Sequence, residues 1–119
     1  MMPVNIVAPY LLTARLPSPH RLVYLSSGFH FGGHPTLAGT DWSGATPGSY
    51  ADSKLFVTAL AAAPARLRPD VLSNAVDPGW VPTRMGGRNA PDDLELGHQT
   101  QEWLAVSEDA QALTSGGYW

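Results

Sequence analysis

The sequence contains no cysteine. That excludes a disulfide framework and any thiolate metal site, and it agrees with a reducing compartment such as the cytoplasm. Charge is also scarce: Asp, Glu, Lys and Arg make up 14% of the 119 residues, against 44% hydrophobic residues. A chain so apolar can bury a core and is unlike disordered sequence. Seven Lys and Arg stand against ten Asp and Glu, for a net charge of -3. With no basic cluster, the electrostatic footprint of a nucleic-acid or anionic-membrane partner is missing. The longest apolar run, "LFVTALAAAPA", is too short to cross a bilayer, and the N-terminus lacks the basic region and apolar stretch of a secretory signal. The expectation is a single unit over residues 1–119, cytoplasmic, with no nucleic-acid partner and no membrane span.

The apolar residues fall into short, punctuated segments. "VNIVAPYLLTARL" reads as a mostly buried helix ended by Pro17 and Pro19, and "RLVYL" (Arg21 to Leu25) as a central parallel strand covered on both faces. Residues 28–48 form a long loop rich in Gly, Pro and Thr, a kind of connection that often carries function. Ser49 offers an N-cap for the helix "YADSKLFVTALAAA", which Pro64 should kink or end. "DVLSNAV" reads as a second buried strand stopped by the turn at Asp77 to Gly79. A further helix is expected from Pro91 or Asp92 to about Val106, and "SGGYW" could add a last short strand. No internal repeat and no second domain is visible. Strands alternating with helices imply a parallel sheet with helices on its faces. Two or three strands cannot cover such a sheet, so the fold expected is part of a larger doubly wound α/β domain.

The stretch "VYLSSGFHFGG" poses a choice between a phosphate loop and a substrate-side loop. A phosphate loop needs a helix N-terminus directly after its glycines, and "HPTLAGTDWSGATPG" cannot start one. The chemistry lies elsewhere. Tyr50 and Lys54 are four apart on one helix, so they share a face, and an ammonium beside a phenol favours the phenolate. Such a tyrosine can act as a general acid or base, although the same pair arises by chance in many helices. Ser27 follows a buried strand at its carboxyl end, where open α/β sheets bind ligands. Asn5 by itself signifies little. His30 and His34, with Asp41 beyond, lack a third fixed ligand, so no metal is expected. Trp80 is the tryptophan best placed by sequence to line a cleft, and Asp92, Asp93 and Glu95 read as a solvated helix start.

Taken together, "VN" at Asn5, "YLSS" ending at Ser27, "YADSK" at Tyr50 to Lys54 and "NAVDPGWVPT" from Asn74 to Thr83 resemble the active-site segments of the short-chain dehydrogenase/reductase family, in the family's order. The Leu after Lys54 resembles the retinol-dehydrogenase-like branch. The resemblance covers essentially the whole chain and implies a partial Rossmann-like doubly wound parallel sheet.

It also implies roles. Asn5, Ser27, Tyr50 and Lys54 would be catalytic: Tyr50 as general acid/base, Lys54 promoting the phenolate and holding the nicotinamide ribose. Ser27 would orient the carbonyl, and Asn5 would support a water reaching Lys54. Tyr50, Lys54, Pro78, Gly79, Val81 and Thr83 would contact NAD or NADP, and the substrate would be a small alcohol or carbonyl compound. The family's opening strand and glycine-rich turn have no counterpart in this sequence, which looks like the family's second half. Weak cofactor binding, an exposed flank on "RLVYL" and self-association into homo-oligomers are therefore expected. The alternative is a non-catalytic remnant serving as an interaction or dimerisation module.

Overall fold

The computed structural model describes residues 1–119. A π-helical turn, Pro3–Val7, runs directly into helix α1, Ala8–Arg15. Proline explains the wide turn. Pro9 has no N–H to return to the Asn5 carbonyl, and the Ala8 N–H reaches back five residues to the Pro3 carbonyl. Strand β1, Arg21–Leu25, leads into a 3-10 turn at Gly28–Gly32. Helix α2, Tyr50–Leu67, strand β2, Leu72–Val76, and helix α3, Leu96–Val106, follow.

The two strands pair in parallel, Arg21 opposite Leu72 through Leu25 opposite Val76. The expected last strand is present as a short one. The Ala75 N–H donates to the Gly117 carbonyl at 3.0 Å, the Trp119 N–H to the Ala75 carbonyl at 3.0 Å, and the Asp77 N–H to the Trp119 carbonyl at 2.9 Å. The central strand is therefore β2, buried along nearly its whole length. Strand β1 was expected to be central and covered on both faces, but it has a single neighbour, and of its five residues only Tyr24 is buried. Bonds from Leu72 N–H to His20 O and from Ser26 N–H to Val76 O fix which β1 residues face β2. By the alternation of a parallel ladder, Val23 and Leu25 turn their peptide groups to the open side.

The core gathers Tyr24, Val57, Ala61 and Ala75, with Ile6, Leu22 and Leu60 against it. The Tyr24 hydroxyl lies 2.6 Å from Thr13 Oγ1, tying α1 to the sheet. The Arg21 guanidinium donates to the carbonyls of Leu104 and Ser107, 3.0 and 2.7 Å away, and so closes the end of α3.

Three expectations are corrected. The first helix, expected to be mostly buried, has no buried residue in α1, and Tyr10, Leu11, Leu12 and Leu16 are exposed because nothing in the chain packs over them. Pro64 does not end α2. It sits in the last turn, where it forfeits a single N–H, is itself buried, and accepts the Arg68 N–H at 2.8 Å. Helix α3 starts at Leu96 rather than Pro91 or Asp92, because the acids are drawn into turns. Asp93 Oδ1 accepts the Glu95 and Leu96 N–H groups, and Asp92 Oδ2 accepts the Trp80 N–H at 2.6 Å. The result is an α/β fold with a small parallel sheet. None of its helices is long and apolar enough to cross a membrane.

Candidate active site

Helix α2 begins where Ser49 Oγ accepts the Asp52 N–H at 3.1 Å, the cap expected from sequence. That start sets Tyr50 and Lys54 on one face, at the carboxyl ends of β1 and β2. Lys54 Nζ donates to the Leu25 carbonyl at 2.9 Å and lies 5.5 Å from the centre of the Tyr50 ring. Burial pushes the Lys54 ammonium toward its neutral form, and the negative charge of Asp77 opposes that shift.

Asn5 stands behind this pair. Its Nδ2 donates to Ser53 Oγ at 3.0 Å, and Ser53 Oγ donates to the Tyr50 carbonyl at 2.7 Å, so the π-turn is fastened to the helix that carries Tyr50 and Lys54. The two serines ending β1 have different fates. Ser26 is buried, with Oγ 2.5 Å from Thr58 Oγ1, while Ser27 is only partly covered and accepts the Phe29 N–H at 3.3 Å. Phe29 in turn stacks edge-on against Tyr50, ring centres 5.8 Å apart. Ser27 therefore caps the 3-10 turn beside Tyr50 and does not line the groove described next.

Residues Tyr50, Lys54, Pro78, Gly79, Val81 and Thr83 border one open groove of about 450 Å³, together with Trp80 and Met85. Gly79 is required at its position: φ is +78°, and a Cβ there would lie 2.8 Å from Asp92 Oδ2. Trp80, expected to line a cleft, does so, anchored by its indole N–H on the Gly86 carbonyl at 2.8 Å. A second groove, of about 420 Å³, follows the open side of β1 and is bordered by both Asn5 and Lys54.

One residue of the site escaped the sequence reading. Asp77 Oδ2 accepts the Gly28 N–H at 2.8 Å and Oδ1 accepts the Gly79 N–H at 2.9 Å, joining the loops after β1 and β2. Burial, with the nearby Asp77 carboxylate, pushes the Tyr118 phenol up. The sequence signal was an acid directly after a buried strand, which was read only as part of a turn. The histidines of the loop have partners of their own. The His34 N–H donates to Asp52 Oδ1 at 2.7 Å, and His30 stacks on Tyr118 with ring centres 4.6 Å apart. No three His, Asp or Glu side chains come together as metal ligands.

No family model matches the chain. Among curated proteins it is 34% identical to the short-chain dehydrogenases chry4 of Gibberella zeae and chyC of Penicillium rubens, over 93% of this chain and 45% of each of theirs. An uncharacterized oxidoreductase of Emericella nidulans is 36% identical over 97% of this chain and 45% of its own. Among solved structures, a Shigella flexneri short-chain dehydrogenase complexed with NADP superposes with a TM-score of 0.67 at 20% identity, over 98% of this chain and 50% of that one. The Drosophila melanogaster carbonyl reductase Sniffer gives a TM-score of 0.63 at 22% identity, over 98% and 51%. These structural likenesses establish the fold, and the chain spans about half the length of the curated relatives it matches.

Proposed function

Because the chain matches the short-chain dehydrogenase family along nearly its whole length, we propose that residues 1–119 carry the catalytic side of an NAD(P)-dependent oxidoreductase acting on an alcohol or carbonyl compound. The observation that carries this reading is the groove in which Tyr50 and Lys54, from α2, face Pro78, Gly79, Val81 and Thr83, from the loop after β2. Tyr50 is 44% exposed into it, so a substrate oxygen can reach the phenol. Tyr50 gives or takes the proton at that oxygen, and Lys54 stabilises the phenolate from one turn along the helix. Ser27, outside the lining of the groove, caps the turn that sets Phe29 against Tyr50 and so helps to place the phenol. Asn5 steadies α2 and supports a water approaching Lys54.

The residues present fit one end of a nicotinamide cofactor. The Lys54 ammonium is a donor for ribose hydroxyls, and Pro78, Gly79, Val81 and Thr83 form the facing wall of the groove. When bound, that group supplies or accepts the hydride. This sequence offers no glycine-rich turn opening a helix for the pyrophosphate, so binding to these residues is weak.

The test is a titration with reduced nicotinamide mononucleotide and with NADPH, followed by NMR at Tyr50, Lys54 and Thr83. Comparable, weak binding of both, lost in Lys54→Ala, is expected. No response at these residues, or binding that Lys54→Ala leaves unchanged, would overturn the reading, whereas micromolar binding of NADPH would overturn only the expected weakness. A second reading, an interaction module without turnover, draws on the wholly apolar groove between Ile6, Tyr10, Trp42, Phe56 and Leu60. Turnover of any carbonyl substrate that depends on Tyr50 excludes it.

A further inference from the structure

We propose that Asp77 is a positioning residue of this site: its carboxylate locks the loops after β1 and β2 to each other and presents the negative charge that faces Lys54. The proposal rests on the dehydrogenase reading only for what the loops are positioned to do.

The geometry is specific to this side chain. One oxygen takes the Gly28 N–H at 2.8 Å, directly after Ser27, and the other takes the Gly79 N–H at 2.9 Å, in the wall of the groove. Both bonds are charge-assisted, the strong kind for an amide donor. The Gly28 backbone approaches so closely that a Cβ there would lie 3.1 Å from Asp77 Oδ2. The backbone of Asp77 is fixed as well, by its own N–H on the Trp119 carbonyl at 2.9 Å. Asparagine at this position could accept only one of the two amides, because its NH₂ would meet the other donor head-on.

The surroundings of Lys54 leave Asp77 as its counter-charge. From its own helix, Tyr50 presents a ring face, and Asp52 is engaged by His34. From β1 it meets the Leu25 carbonyl, and the neutral Asn5 of the π-turn borders the same groove. Burial works against the ammonium and Asp77 works for it. The two do not form a contact ion pair, so the effect acts through space and the amine stays free to bond elsewhere.

The decisive experiment needs no substitution. In the full chain, an acid titration followed by NMR should move the Gly28 amide, the Gly79 amide and the Lys54 side-chain resonances with one common midpoint, that of a single carboxyl. Separate midpoints, or silence at any of the three, overturns the proposal. In Asp77→Asn, provided it folds, the Lys54 titration should move to lower pH. Asp77→Glu should restore most of that shift while leaving the Gly28 and Gly79 amides exchanging faster. An unchanged Lys54 titration in folded Asp77→Asn also overturns it. The two proposals fail separately: a shared midpoint in a chain whose groove ignores reduced nicotinamide mononucleotide sustains Asp77 and removes the dehydrogenase reading.

Discussion

Asn5 and Ser53 meet in a 3.0 Å hydrogen bond across 48 positions of sequence, and Ser53 is fully buried. Through Ser53 the same contact reaches the Tyr50 carbonyl, so the π-turn and the first turn of α2 move as one piece. The wide turn created by Pro9 is thereby put to use: it brings a polar side chain of the N-terminal helix against the helix that holds Tyr50 and Lys54.

Removing that contact should weaken the fold as well as the site. Asn5→Ala leaves Ser53 Oγ short of a donor in a dry environment, at a cost of about 1–2 kcal/mol. Urea denaturation monitored by circular dichroism measures it, and a midpoint equal to that of the parent chain would show the bond to be dispensable.

Tyr50 and Lys54 should separate stability from chemistry. In a preparation that reduces a carbonyl compound, Tyr50→Phe should cost about 100-fold or more in kcat, with little change in melting temperature, since the ring is half exposed and remains in place. Lys54→Met should hold or raise the melting temperature, because burial disfavours the ammonium. The sign follows from linkage: with the folded value lowered, the unfolded chain binds more protons just below 10.5, and stability attributable to Lys54 rises with pH across that window.

The open side of β1 and the apolar face of α1 should drive association. Light scattering after size exclusion is expected to give a mass above the 12.7 kDa of one chain, and Leu12→Lys, at a position 64% exposed, should lower it. A parent chain that runs as a cooperative monomer refutes this.

Acid should release the loop that leads into α2. The His34 N–H on Asp52, the main influence, holds that carboxyl below the usual 3.8. A carboxylate of this kind contributes fully above 3.8 and loses its contribution as pH falls below that value. Limited proteolysis of residues 28–48 should therefore be slow at about pH 5 and accelerate as pH falls below 3.8, and His34→Pro, which has no N–H, should remove the difference.

What the sequence disclosed is what depends on local pattern. A continuous apolar run marked β1, the turn at Asp77 to Gly79 marked the end of β2, Ser49 marked the start of α2, and "SGGYW" marked the tail strand, because each signal lies within a few residues of its effect. The spacing of Tyr50 and Lys54 placed them on one face for the same reason. Burial of α1 was misjudged because an apolar sequence reports what a helix can bury, and the covering partner is a separate matter. The dual role of Asp77 was invisible because one of its two partners, Gly28, is remote in sequence. The start of α3 was misplaced because Asp92 and Asp93 spend their oxygens on turns.

The tail strand has a further consequence. Its docking on β2 is held by four bonds of the main chain and by Asn74, whose side chain grips the Thr114 carbonyl and the Gly117 N–H at 2.9 Å each. A short segment added at the edge of a sheet opens more readily than the strands of the core. This one holds the Asp77 N–H, so each opening event loosens the residue whose carboxylate joins both loops. The order of the site should then follow the exchange rates of the amides that tie residues 116–119 to β2 rather than the global stability of the core.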